Sequence, residues 1–306
     1  MARMHRVGAA LLTVVAVGAL LAACRTPIVQ AACDGRLIAS TTGTLKDPAL
    51  IETSGLASSA QNPGVLWANN DSGDTARLFA ISEAGATRVI YGLSGATAID
   101  WEDIAIGPGP EANTPYIYAG DIGDNGEQRP NIVVYRVAEP IVVGDGGTYP
   151  LDHVDALTFT YPDGSHDAEA LVVDPRTGEI YIVIKHLSGG PAAVYRAPAG
   201  LKDGSTTVLT KVGAVDLPRI PFVNAVTGAD ISRDGTTIAV RTYGGVRLWG
   251  RGANQSVIAA LGADPCTGPI PVEVQGESIG IQPNGRGYFT ASEGVNVPLH
   301  RFMIPK

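Results

Sequence analysis

The stretch "AIDWEDIAIG", Ala98 to Gly107, sets three carboxylates (Asp100, Glu102, Asp103) and a tryptophan directly before an apolar run that reads as a buried strand. An ionised carboxylate buried without a partner is very costly, so these groups must meet water, a cation or hydrogen-bond donors. Four more segments repeat the pattern: "ETSGLASS" from Glu52, "DAEALVVD" from Asp167, "TGADISRD" from Thr227 and "QGESIGIQ" from Gln275. Their apolar anchors, Leu56, Ile104, Leu171, Ile231 and Ile279, lie 48, 67, 60 and 48 residues apart. From Ile279 round through the chain ends to Leu56 is again about 50 residues, so the series closes into a ring.

Each interval carries the same internal order. A second strand follows the anchor ("GVLWANND", "YIYAGDIGDN", "IYIVIKH", "TIAVRTYGG", "GYFTASEG"), then a third ("RLFAIS", "NIVVYRV", "AAVYRAP", "GVRLWGR", "PLHRFMI"). A fourth fits "TRVIYGL", "DALTFTY", "TVLTKVG" and "SVIAALG", and the fifth member of that set, "RLIASTTG", lies near the start of the chain. Four strands per unit arranged radially make an all-β fold, a β-propeller of five four-stranded blades, with the N-terminal strand completing the C-terminal blade. The long 67- and 60-residue intervals leave room for extra strands, so six blades are the alternative.

Composition agrees with a turn-rich globular chain: 306 residues, 45% hydrophobic, with 38 Gly and 21 Pro. The start, "MARMHRVGAALLTVVAVGALLAAC", has Arg3 and Arg6, an apolar run and small residues before Cys24, the order of an export signal. Within it "LAAC" resembles the lipobox of bacterial lipoproteins. That resemblance implies a leader over residues 1–23, a lipid on Cys24, a short tether over 24–35 and a single domain over 36–306. The protein is then expected at the outer face of the cytoplasmic membrane, held by lipid alone; a plain signal peptide cut a few residues later, giving a secreted protein, is the alternative. Loss of the leader takes the net charge from −8 to about −10, which excludes a nucleic-acid partner. A monomer is expected. Cys33 and Cys266, exported to an oxidising compartment, are expected to form a disulfide; two free thiols are the alternative.

In such a blade the link into the first strand and the turn between the second and third strands emerge on one face. The acidic entries and the second-strand ends therefore meet at the channel mouth. Candidate ligands for a hard cation there are Asp71, Asp74, Asp100, Glu102, Asp121, Asp124 and Asn125, and Ca²⁺ suits such an irregular oxygen set better than Mg²⁺. The competing reading is that Asp and Asn before Gly only cap turns. A ligand-binding rim is expected from Lys185, His186, Arg241, Tyr243, Glu169, Asp167, Glu277, Glu293 and Trp101, whereas Trp67 and Trp249 are expected in inter-blade packing.

"DAEALVVDP" and "QGESIGIQ", followed by "IYIVIKH" and "GYFTASEG", resemble the bacterial extracellular propellers of the phytase-like and esterase-like-phytase groups, over residues 36–306. "GVLWANNDSGD", "DWEDIA" and "GDIGDN" are similar to other secreted bacterial propellers. The resemblance implies Ca²⁺ held by carboxylates such as Glu102, Asp121, Glu169 and Glu277, with phosphate met by Lys185 and Arg241. The chain departs from that pattern in the scarcity of cations on its rim.

Other chemistry leaves little trace. There is no H-E-x-x-H and no P-loop. A Ser54, His186, Asp167 trio and an Asp100, Glu169 acid pair are the remaining catalytic arrangements. Two functions follow: an envelope-anchored propeller that binds a ligand or partner at a Ca²⁺-bearing rim, or a Ca²⁺-dependent hydrolase acting on a phosphoester or glycoside.

Overall fold

The computed structural model describes residues 25–305; the leader over 1–23 and Cys24 lie outside the described residues. Pro27 opens a helix, α1 (Pro27–Cys33), its missing N–H being no loss at the first helical position. Strand β1 (Ile38–Leu45) follows. The first blade is β2 (Thr53–Ser58), β3 (Val65–Asn70), β4 (Arg77–Ser82) and β5 (Thr87–Leu93). The second runs through β6 (Trp101–Pro108), β7 (Pro115–Asp121) and β8 (Ile132–Ala138), then, after the short β9 (Thr148–Leu151), β10 (Asp155–Thr160). The third is β11 (Ala168–Val173), β12 (Ile180–Ile184) and β13 (Ala192–Ala197), then, after β14 (Thr206–Val208), β15 (Thr210–Val215). The fourth is β16 (Val226–Ile231), β17 (Thr237–Thr242), β18 (Gly245–Gly250) and, past helix α2 (Val257–Leu261), β19 (Cys266–Gly268). The fifth is β20 (Gly276–Ile281), β21 (Gly287–Ser292) and β22 (Val297–Met303), completed on the outside by β1.

The protein is a five-bladed β-propeller, and the ends close as the repeat implies: β1 pairs antiparallel with β22 from Ile38 opposite Met303 to Leu45 opposite Val297. The inner strands β2, β6, β11, β16 and β20 neighbour one another in a closed ring. They are buried on both faces, because each blade is covered by its two neighbours. The core accordingly divides into five apolar clusters, one in each gap between blades. Trp67 and Trp249 fill such gaps, their indole N–H groups donating to Glu139 Oε1 (2.7 Å) and the Ala263 carbonyl (2.8 Å).

Three local expectations change. The 67- and 60-residue intervals do hold extra strands, yet these form no sixth blade. Instead β9 pairs in parallel with β5, and β14 with β10, so each becomes a fifth, outermost strand on the preceding blade. "SVIAALG" is the helix α2 rather than a strand: Ser256 caps it by accepting from the Ala259 N–H (3.2 Å), and β19 takes the outer position. The segment 24–35, expected as a tether, contains α1, whose Ile28, Val29 and Ala32 are buried between the fourth and fifth blades.

Cys33, at the end of α1, is bonded to Cys266 on β19, with Cα atoms 4.8 Å apart and 233 residues between them in sequence. It ties the outer strand of the fourth blade to the chain entering the fifth. Such a long closed loop restricts the unfolded chain strongly. Cys266→Ser is expected to lower stability by roughly 2–4 kcal/mol in denaturant unfolding. Under strong reductant the difference from the parent protein should vanish.

Candidate functional site at the channel mouth

All five inner strands are interrupted at the same place. The pairing of each with its second strand skips at Thr53/Leu56, Trp101/Asp103, Ala168/Ala170, Val226/Gly228 and Gly276/Ser278. A β-bulge inserts a residue and re-aims its side chain. The bulged residues are Ser54 (with Gly55), Glu102, Glu169, Thr227 and Glu277, so three blades place a glutamate at equivalent positions facing one mouth of the channel. In the fourth blade this register sits two residues earlier than its Ile231 anchor implies: Thr227 is bulged and Ala229 is the anchor.

The shift sends Asp230 into the channel, where Asp103 also lies. Asp103 Oδ1 accepts from its neighbour's N–H at Ile104 (2.9 Å), and Oδ2 from Leu171 (2.9 Å) in the third blade and Ala229 (3.1 Å) in the fourth. Asp230 accepts from Ile231 (2.7 Å) and from Ile281 (2.6 Å) in the fifth. Burial raises both acids, Asp230 to about 7. These two are structural ties inside the channel and not rim groups. On the far side of Asp230 a cavity of about 570 Å³, walled by Ala57, Ile106, Ile231 and Ile281, opens on the opposite face.

Above the ties, seven carboxylates converge. Their oxygens approach within 4.8 Å in three overlapping groups: Asp71 with Asp100 and Glu102, Asp71 with Glu277 and Glu293, and Glu102 with Asp167 and Glu169. Lys185 Nζ donates to Glu169 Oε1 and lies 5.6 Å from the centre of the Tyr243 ring. The Tyr243 hydroxyl donates to Glu277 Oε1 (2.8 Å), and Ser54 Oγ to Glu102 Oε2 (3.2 Å). The second oxygens of Glu169 and Glu277 are buried with no partner, each residue being only 2% exposed. Gly123 leaves the room this requires, since a Cβ there would lie 2.3 Å from Glu102 Oε1 and 2.6 Å from Asp100 Oδ2.

Crowding shows in the acidities. Burial raises Asp71 to about 6, and burial followed by the close approach of the Glu277 carboxyl raises Glu293 to about 9. Burial, against the pull of the Lys185 ammonium, raises Glu169 to about 8. Glu102 stands well above the carboxylate range through burial and then the charges of Glu169, Asp71 and Asp100. Asp100 and Asp167 are raised by burial too. Burial would lower Lys185, but the Glu169 carboxylate outweighs it and holds the ammonium charged.

Several expected site residues have other tasks. Asp74 is paired with Arg77 (2.7 Å) and bonded by Asn70. Asp121 is fully buried, paired with Arg129 (2.8 Å) and bonded by the N–H groups of Ile99 and Asp100, so it positions Asp100 instead of offering a ligand oxygen. Asp124 accepts from the Arg129 N–H (2.7 Å), while its own N–H donates to Asp167 Oδ1 (2.9 Å). Asn125 is exposed in the turn that follows. Arg241 is fully buried, donating to the carbonyls of Ser278 (2.6 Å) and Ala291 (3.1 Å) and paired with Glu273, a staple between the fourth and fifth blades. The phosphate pair Lys185 and Arg241 is therefore not assembled. Trp101 is buried against Tyr135 with its N–H on the Thr97 carbonyl (3.0 Å), out of reach of a ligand. His186 is half-buried in the next loop, its carbonyl accepting from Gly189 (2.8 Å), and with Ser54 given to Glu102 the Ser54, His186, Asp167 trio is not formed. Asp100 and Glu169 fall in different groups with Glu102 between them. Sequence reasoning passes over Arg129 and Glu273, although "GDNGEQR" sets that arginine five residues after Asp124, within reach of both turn acids.

No protein-family pattern matches the sequence, and neither does any curated protein. Among solved structures, the chain is similar to the apo soluble aldose sugar dehydrogenase of Escherichia coli, with a TM-score of 0.51 at 10% identity over 88% of this chain and 100% of that one. The likeness is one of fold. The PQQ-bound aldose sugar dehydrogenase of Streptomyces coelicolor (TM-score 0.48, 12% identity, 87% and 98% covered) and a gluconolactonase of Xanthomonas campestris (0.48, 12%, 92% and 94%) lie further off.

The raised acids predict a pH dependence. Asp71 and Glu293 hold protons in the folded state at pH values where the unfolded chain has released them, so unfolding releases protons and stability falls as pH rises. In chelator, the melting temperature is expected to drop from pH 5 to pH 9. Scanning calorimetry at constant ionic strength checks it, and a flat profile would mean that the acids are not crowded in solution.

Proposed function

We propose that this chain is an exported, monomeric β-propeller that binds a hard divalent cation, Ca²⁺ above others, in its acidic channel mouth, and through that cation a ligand at the cell envelope. The observation that carries the reading is the pair of buried, unpartnered oxygens on Glu169 and Glu277 within a ring of seven carboxylates holding one ammonium. A carboxylate oxygen removed from water and left without a donor is strongly destabilised, and a cation taking six to eight oxygens at irregular angles relieves several of them together. Asp71, Glu102, Glu169 and Glu277 supply ligand oxygens, Lys185 and Tyr243 flank the open side, and the propeller resembles the phytase-like group in this use of blade-entry acids.

Anchoring through a lipid on Cys24 accords with the position of Thr26, two residues on. Its hydroxyl lies 2.8 Å from that of Thr237, at the start of β17 and hence on the face opposite the acids. A lipid at that end leaves the acidic mouth pointing away from the membrane. The disulfide accords with an oxidising compartment.

A second reading, a Ca²⁺-dependent hydrolase, draws on Glu293. It is half-buried and stands beside Asp71 and Glu277, where its carboxyl would be placed to pass a proton to or from a water held by the cation.

Metal content and a calorimetric Ca²⁺ titration of the chain from Arg25 onward test the cation site. Stoichiometric binding is expected, with a higher melting temperature. Glu102→Gln should weaken Ca²⁺ at least tenfold, and Asp74→Asn by less than twofold. Equal losses in the two variants, or no binding by the parent protein, would reduce the ring to turn caps and buried acids.

A further inference from the structure

A groove of about 460 Å³ opens on the same face as the acids, lined by Leu187, Phe222, Val223, Tyr243 and Val274. Its walls come from three blades: the loop after β12, the link into β16, the turn after β17 and the link into β20. The side chains are apolar and turned to solvent, with Phe222 64% exposed and Val274 wholly so. The groove is held open by backbone bonds. Phe222 sits at φ +61°, a conformation that a bulky residue rarely adopts, with its N–H on the Leu187 carbonyl (2.7 Å); the Gly244 N–H is on the Val223 carbonyl (2.7 Å). Groove and acid mouth share one residue, since the ring of Tyr243 lines the groove while its hydroxyl bonds Glu277.

We infer that the groove is the tail subsite of an uncharged amphiphile whose oxygen-bearing head, an amide or ester carbonyl or a hydroxyl, completes the coordination of the cation at the mouth. This rests on the cation-binding reading. Charge selects the head: the mouth is lined by seven acids and only one ammonium, so an anionic head must approach among carboxyl groups that repel it, while a neutral carbonyl still serves as a Ca²⁺ ligand. Apolar area selects the tail, because Leu187, Phe222 and Val274 gain only when covered by a non-polar chain.

The test titrates N-butyl-, N-hexyl- and N-octylacetamide into the Ca²⁺-saturated protein by calorimetry. Each added pair of methylenes is expected to tighten binding about tenfold. The Phe222→Ser/Val274→Ser double variant should lose that chain-length dependence and keep its Ca²⁺ affinity within twofold. Equal binding of the three amides, or a dependence unchanged in the double variant, overturns the proposal. Octanoate binding as tightly as N-octylacetamide overturns the neutral head. If Ca²⁺ itself does not bind, the cation reading falls, and the same amides with the metal-free protein still decide the groove: a dependence lost in the double variant upholds it, and no dependence refutes it.

Discussion

A ring of blades leaves one edge of every inner strand unpaired and facing the channel, and its N–H groups have no neighbouring strand to bond. Asp103 and Asp230 meet that constraint. Between them they accept from inner-strand N–H groups of the second through fifth blades, from Ile104, Leu171, Ala229, Ile231 and Ile281. Each reaches out of its own blade, so the carboxylates act as pins across the axis. "DWED" then makes sense as a unit. The bulge at Glu102 turns that side chain up into the mouth and lets the following residue, Asp103, turn inward to the pins.

The outer edges are handled by exchange. β9 and β14 leave their own blades to cover the preceding ones in parallel, and β1 crosses from the N-terminus to cover the last. Parallel strands require a long connection, and the 67- and 60-residue intervals supply it. The fourth blade has the shortest fourth strand, three residues with nothing paired outside it, and is the one braced by α1 and the disulfide. Where hydrogen bonding across the edge is least, the covalent tie is present.

The period of the repeat, the closing strand, the disulfide and the packing of Trp67 and Trp249 were legible because each depends on local pattern or on counting. Register within a blade was not. "TGADISRD" offers both Ala229 and Ile231 as apolar anchors, and only the bulge common to all five inner strands separates them. Membership of the acidic site was legible in half of its terms. Asp71, Asp100, Glu102, Glu169 and Glu277 are where blade topology puts them, but Asp74, Asp121 and Asp124 are diverted by Arg77 and Arg129, whose reach depends on turn conformation. Arg241 looked like a rim cation from its place at a strand end, and its pairing with Glu273 across a blade boundary has no signature in either segment alone. Helix α2 was readable, since "SVIAALG" carries a serine cap and a terminal glycine, and blade periodicity outweighed them.

The two tiers of acid carry different loads. The lower tier bonds backbone N–H groups, so losing Asp103 would orphan buried donors on three blades, a cost of about 1–3 kcal/mol for each donor. The three bulge glutamates of the upper tier accept only from side chains, namely Ser54, Lys185, Tyr243 and Gln275, while Asp71 and Asp167 each take one adjacent or turn N–H, from Ser72 and Asp124; the crowding of this tier opposes folding unless protons or a cation offset it. Neutralising an upper acid therefore relieves repulsion at little expense to the fold, whereas neutralising a lower one breaks a pin. A fold that needed acids only as pins would have no use for the upper tier. At the bulges of three blades, with two oxygens buried and unpartnered, that tier concentrates negative charge that protons or a bound cation can offset.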